Sequence, residues 1–193
     1  MKRLLITGFE PFGGDAVNPS WEAVQCLPEE IDGIRLSKLQ LPVVFGKAAA
    51  LAASKAREIS ADCILCVGLA GGRCAITPEL IGVNLRNARI PDNDGNIFHD
   101  EPIVSGAPDG IFSTIPVRKI ANAISDAGIS SSVSMSAGAY VCNDTLYSLL
   151  YAFRDTPVKV GFLHVPYLPE QSENGISLEQ MVKALTIAVK NLK

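Results

Sequence analysis

Ser132-Val133-Ser134-Met135, then Ser136-Ala137-Gly138-Ala139, then Tyr140-Val141-Cys142-Asn143, is the stretch from which the fold is read. Its first four residues form a short β-prone run, and the next four a tight turn of small side chains. Beyond Asn143, Leu146, Leu149, Leu150 and Phe153 recur at spacings of three and four, the period of a helix. Strand, turn and helix in succession are the unit of an α/β fold. The same reading puts Cys142 at a helix N-terminus or within a residue or two of it. Unpaired N–H groups and the positive end of the helix dipole favour an anion there. A thiol in that place ionises more easily, and the thiolate is the nucleophile. The competing reading is a small buried cysteine that does nothing but pack.

Further strands and helices are read on either side. Downstream, Val158 to Val165 is an apolar strand that ends in His164-Val165-Pro166. Ser177 to Leu192 is a helix with an N-cap serine, Glu179 in its first turn and lysines near its end. Upstream, Pro116 to Gly128 is an amphipathic helix with proline at its start and glycine at its stop. Lys2 to Thr7, Ile34 to Leu41, Asp62 to Val67 and Ile81 to Leu85 read as strands, the third as a central one buried on both faces. Helices are expected from Pro19 to Leu27 and, rich in alanine, from Phe45 to Ile59. Arg86 to about Phe112 is a long loop dense in Asn, Asp, Gly and Pro. Strands alternating with helices predict an α/β sandwich with helices on both faces of a mixed sheet. No linker or repeat divides the chain, so residues 1–193 are expected to form one catalytic domain.

Bulk properties exclude several functions. Net charge is −3, from 17 basic and 20 acidic residues without a basic cluster, which argues against nucleic-acid binding. No apolar run reaches membrane-spanning length, and Leu4-Leu5-Ile6 is too short for a signal h-region. Five cysteines, an odd number, mostly in apolar surroundings, are expected to be reduced thiols in the cytoplasm. Cys63-x-x-Cys66 lies in a strand, where i and i+3 point to opposite faces, so core packing is expected there and no metal. Gly68-Leu69-Ala70-Gly71-Gly72-Arg73 has the wrong spacing for a dinucleotide loop. Gly8 to Gly14 lacks the Lys-Ser/Thr of a phosphate loop but carries Phe9 and Phe12, which suit an apolar pocket wall.

A cysteine nucleophile needs a base, and the chain has two histidines, His99 in the long loop and His164 at the C-terminal end of a strand. Functional groups of open α/β sheets gather at that edge, which favours His164. A third group must orient the imidazole, and Glu79, set among apolar residues after Thr77-Pro78, is the candidate. A solvent-facing glutamate at a strand start is its alternative.

Six blocks, in order and in register, carry a resemblance over essentially the whole chain. They are Gly8-Phe9-Glu10-Pro11-Phe12, Gly71-Gly72-Arg73, Ile76-Thr77-Pro78-Glu79, Asn87-Ala88-Arg89-Ile90-Pro91-Asp92, Ser136 to Asn143, and Phe162-Leu163-His164-Val165-Pro166. Together they resemble the pyroglutamyl peptidase I (pyrrolidone carboxyl peptidase) family of cysteine peptidases. The resemblance implies a three-layer α/β/α sandwich of the phosphorylase/hydrolase-like type with a mostly parallel sheet. It implies removal of N-terminal 5-oxoproline from peptides with no cofactor or metal, and assembly into a homotetramer. Position by position it implies Cys142 as nucleophile, His164 as base and Glu79 as the acidic third member. It places Phe9, Phe12, Asn18 and Val141 around the lactam ring and Arg89 near the oxyanion. Two positions depart from the pattern. Leu69 stands where many members carry a glutamine whose main chain binds the lactam, and Leu80 replaces a frequent arginine beside the catalytic glutamate.

Three rivals remain open at this level. A nucleoside phosphorylase on the same fold would show phosphate-dependent turnover, and a binding protein would keep the pocket without the chemistry. A serine hydrolase would use Ser134 or Ser136, though neither sits in G-x-S-x-G.

Overall fold

Every second residue of the central strands faces one of two apolar layers, and this alternation builds the molecule. The computed structural model describes residues 2–192. In chain order its elements are β1 (Lys2–Phe9), α1 (Pro19–Gln25), β2 (Glu30–Ile31), β3 (Ile34–Leu41), α2 (Lys47–Glu58), β4 (Cys63–Leu69), β5 (Thr77–Pro78), β6 (Ile81–Val83), β7 (Gly110–Phe112), α3 (Val117–Asp126), α4 (Val141–Ala152), β8 (Lys159–Val165) and α5 (Leu178–Lys190). The main sheet has the order β2-β3-β1-β4-β8-β5. β3, β1, β4 and β8 are parallel, and short antiparallel strands, β2 and β5, lie at either end.

Leu4, Ile6, Leu65, Val67, Leu163 and Val165 face a core closed by α1, α3 and α5. Leu5, Phe9, Ile64, Cys66, Val160 and Phe162 face the other, closed by α2 and α4. This is a mixed-sheet α/β fold with helices on both faces. Cys63 joins the first core and Cys66 the second, as a strand requires of positions three apart. Burial holds both thiols up near a pKa of about 12. The five alanines that α2 buries let it approach the sheet closely, which is why an alanine-rich stretch makes a packed helix here.

Two expectations need correction. Ser132 to Met135 is not a regular strand. Only isolated bridges, Ile76 with Ser131 and Glu79 with Ser134, hold the segment against the chain around β5. Serine hydroxyls compete with the ladder, and the Ser134 hydroxyl turns back onto Ser136 O (3.1 Å). The long loop is not wholly irregular either: its last residues form β7, which pairs with β6 in a separate two-stranded sheet. That small sheet packs on α4.

Candidate active site

α4 begins at Val141 with Tyr140 as N-cap, so Cys142 is the second helical residue. The N-cap side chain makes no capping bond, which leaves the first-turn N–H groups open to an anion. The entrance of α4 is tied down by the next residue. Asn143 Oδ1 accepts from Val83 N (2.9 Å), and its Nδ2 donates to Val83 O (2.8 Å) and Leu85 O (3.0 Å). Asp144, fully buried, accepts from Arg86 Nε (2.6 Å) and Gly46 N (2.7 Å).

His164 lies near the C-terminal end of β8, where Gly68 of β4 is its neighbour on one side and Thr77 of β5 on the other. Cys142 Sγ sits over Gly68, 2.9 Å from where a β-carbon would be. Sulfur and imidazole are thus brought to adjoining strands on one face of the sheet, and both line the same cavity.

Glu79 is fully buried, not solvent-facing. Its Oε1 lies 2.7 Å from His164 Nδ1 and accepts from Arg73 Nη1 (2.6 Å). Oε2 has no hydrogen-bond partner among the described residues. The backbone holds Glu79 as well: its N–H donates to Phe162 O (2.9 Å), and its carbonyl accepts from the Ser113 hydroxyl (2.6 Å). Leu80, half-buried against the first core, therefore leaves the carboxylate firmly held without the arginine that the resemblance led one to expect. Arg73 takes up that part of the task. It also donates to Thr77 Oγ1 (2.5 Å) and Ser136 O (2.9 Å).

Charge in the cluster follows from burial and these contacts. Burial pulls the Glu79 carboxyl upward, but His164, then Ser134 and Arg73, outweigh it and hold the group below its ordinary value. Burial lowers the His164 imidazole, against the pull of Glu79 and with help from the charge of Arg73. An ionised Glu79 can only accept, so Nδ1 carries the imidazole hydrogen and Nε2 is free as a base. The Cys142 thiol is pushed up to about 12, by burial first and then by the charge of Glu79 and by Cys66, with Arg73 opposing. The helix position favours ionisation of this thiol, and burial opposes it at a sulfur that is half-buried and lines the cavity.

The cavity has a volume of about 340 Å³. Phe9, Phe12, Asn18, Leu69 and Val141 all line it. Phe9 is buried with its ring 6.2 Å from that of Phe162, and the half-buried Phe12 ring lies 6.3 Å from that of Tyr140. Asn18 is largely committed elsewhere. Its Oδ1 caps α1 through Ser20 N (3.1 Å) and accepts the Ser20 hydroxyl (2.8 Å), while Nδ2 donates to Glu10 O (2.9 Å). One amide hydrogen is left for a ligand. Arg89, expected near the oxyanion, is exposed and is not among the residues that line the cavity. Its neighbour Ala88 is buried and anchored through its N–H to Phe98 O (2.8 Å). Arg73 and Tyr140 do line the cavity and were given no part in it by the sequence. The isolated cation of Gly71-Gly72-Arg73, six residues before an apolar-flanked glutamate, was the available signal for Arg73.

No described helix is long and apolar enough to cross a membrane. Similarity to known proteins agrees with this geometry. The family model described as pyroglutamyl peptidase matches residues 2–193. A pyrrolidone-carboxylate peptidase of Thermococcus onnurineus is 44% identical over 194 residues, covering 97% of each chain. One from Escherichia fergusonii is 48% identical over 174 residues, covering 89% of this chain and 81% of its own. The crystal structure of Bacillus amyloliquefaciens pyroglutamyl peptidase I superposes with a TM-score of 0.95 at 40% identity, over 100% of this chain and 97% of that one. The chain belongs to the pyroglutamyl peptidase family.

Proposed function

We propose that this protein removes N-terminal pyroglutamate (5-oxoproline) from peptides by acyl transfer through Cys142, His164 and Glu79. What carries the reading is one juxtaposition. A buried imidazole bonded to Glu79 at 2.7 Å shares with Cys142 a cavity walled by two phenyl rings.

His164 Nε2 takes the thiol proton as sulfur attacks the carbonyl carbon of the pyroglutamyl residue. Proton transfer within the site keeps its net charge unchanged, and it is coupled to formation of the C–S bond, so that no free thiolate has to accumulate. The imidazolium that forms is stabilised by Glu79. The Cys142 N–H, in the first turn of α4, donates to the oxyanion; losing one such donor typically costs about 3 kcal/mol. The C–N bond breaks, and the leaving amine takes the proton from His164. Water, deprotonated by His164, then attacks the thioester and releases pyroglutamate, restoring the thiol.

Specificity follows from the walls. A flat, uncharged lactam exchanges water for Phe9, Phe12 and Val141, with the spare Asn18 hydrogen available to its carbonyl. An N-terminal glutamate or glutamine carries an ammonium that this cavity would have to desolvate. Hydrolysis of pyroglutamyl-alanine but not prolyl-alanine, abolished by thiol alkylation, tests the reading. Cleavage that survives alkylation would overturn it, and phosphate-dependent nucleoside turnover would support the rival fold-mate.

We also infer a homo-oligomer, with a tetramer as the family would imply. Phe112 is 63% exposed, and Ile90, Ile97 and Met135 expose about half of their surface or more, more apolar area than free loops usually show. Light scattering at micromolar concentration that found monomer alone would count against it.

A further inference from the structure

Groups on the active-site face lie in a row across the sheet. Gly68, with Cys142 Sγ above it, pairs with His164, and His164 pairs with Thr77. Because Ser131 and Ser134 are bridged to Ile76 and Glu79 in parallel, Ser132 lies across from Thr77. If sulfur attacks and His164 protonates the leaving amine, the acyl half of the substrate stays on the Cys142 side. The leaving half must pass His164 in the direction of Thr77 and Ser132.

That direction leads out of the phenyl-walled cavity to an open depression of about 370 Å³, lined among others by Gly72, Arg73, Thr77, Ser132 and Ser134. Arg73 lines both spaces and forms the sill between them, fixed at one end to Glu79 Oε1 and at the other to Ser136 O. The two spaces differ in chemistry. Aromatic and aliphatic groups dominate the first, whereas the second is lined by small residues, Arg73 and three hydroxyl-bearing side chains, with no aromatic ring and no carboxylate. Thr77 and Ser134 are engaged with Arg73 and Ser136 O, and Ser132 is exposed. An open floor of small side chains with an exposed hydroxyl suits the neutral, polar main chain of a peptide and discriminates little between side chains.

We propose that this depression binds the leaving peptide, beginning beyond the scissile bond and reaching Ser132 by its second or third residue. The proposal rests on the pyroglutamyl-peptidase reading above. It divides recognition between a closed subsite that is strict for the ring and an open one that accepts varied sequences and rewards length.

The test uses pyroglutamyl-Ala-amide, pyroglutamyl-Ala-Ala-amide and pyroglutamyl-Ala-Ala-Ala-amide. In the unaltered enzyme kcat/KM should rise about tenfold along the series, as binding of remote residues is used in the transition state. Ser132 is exposed, so Ser132→Trp fills the depression without disturbing the core. This variant, and Ser132→Tyr beside it, should lose the rise and keep the rate on pyroglutamyl-Ala-amide within about twofold. Equal kcat/KM for all three peptides in the unaltered enzyme would overturn the proposal, whatever the variants do. So would variants of unchanged melting temperature that lower all three rates by one factor. Failure of the underlying reading is distinguishable, because then not even pyroglutamyl-Ala-amide is cleaved.

Discussion

Gly68 and Cys142 compete for the same space: a β-carbon on Gly68 would lie 2.9 Å from Cys142 Sγ and 2.8 Å from the ring of Phe162. The absence of a side chain at this point of β4 is what lets a helix-borne sulfur settle beside the imidazole of the neighbouring strand.

Gly68→Ala should therefore lower kcat at least 100-fold, since a displacement of about 1 Å from reacting geometry costs that much. Its stability should fall by only about 1–3 kcal/mol, the usual cost of one extra carbon in a packed interior. Turnover and urea midpoints measured together check this. A variant that kept its activity would show that the sulfur does not need the space.

Alkylation reports the protonation argument. On the proposed mechanism, reaction of the sulfur at neutral pH depends on His164 taking its proton. His164→Ala should slow inactivation by iodoacetamide at pH 7 by more than about tenfold, with the rate climbing as pH is raised towards the thiol pKa. Equal rates with and without His164 would mean that the sulfur is ionised by something else. Cys142→Ala should remove turnover and leave the melting temperature nearly unchanged.

Acid should destabilise the fold in two stages. The folded-state pKa of His164 is lowered from 6.5, so below pH 6.5 the unfolded chain takes up the proton first and stability falls. Glu79 is lowered from 4.5, so the stability it confers above that value is lost as pH falls through the folded-state pKa. Urea midpoints from pH 8 to pH 4 should thus decline from about pH 6.5 downward. His164→Gln should remove the upper stage and also weaken the lower, because His164 is the main group that holds the Glu79 carboxyl down. Glu79→Gln should sharpen the upper stage, because Glu79 is the group that holds the His164 pKa up. A flat profile between pH 8 and pH 5 would contradict the burial of a neutral imidazole.

Asn143 is expected to matter as much as a residue of the triad, without touching substrate. Its amide satisfies the N–H and the carbonyl of Val83 and the carbonyl of Leu85. Asn143→Ala strands these groups and should cost about 3 kcal/mol, with a fall in kcat as the start of α4 loosens. Asn143→Asp keeps the acceptor for Val83 N but sets a carboxylate against two carbonyls, so it should be no better. Calorimetry and kcat on both variants check this.

Much of the outcome was legible in linear order. The apolar run of β4, the N-cap serine of α5 and the three-and-four spacing after Asn143 are local patterns, imposed by backbone geometry within a few residues. They were sufficient to place Cys142 in the first turn of a helix and His164 near the end of a strand. Serine-rich Ser132 to Met135 misled, because β-propensity does not register hydroxyls that bond their own chain.

Tertiary structure alone decided which charges meet. Glu79 and His164 are 85 positions apart, and only the β5–β8 pairing brings them to 2.7 Å. Arg73 and Arg89 look alike in sequence, but one anchors a buried carboxylate and the other faces water. Whether Cys142 carries a proton depends on how completely distant segments exclude water from it. Desolvation sums over neighbours that no local period can name, and so it opposes the helix end from which the sequence had argued.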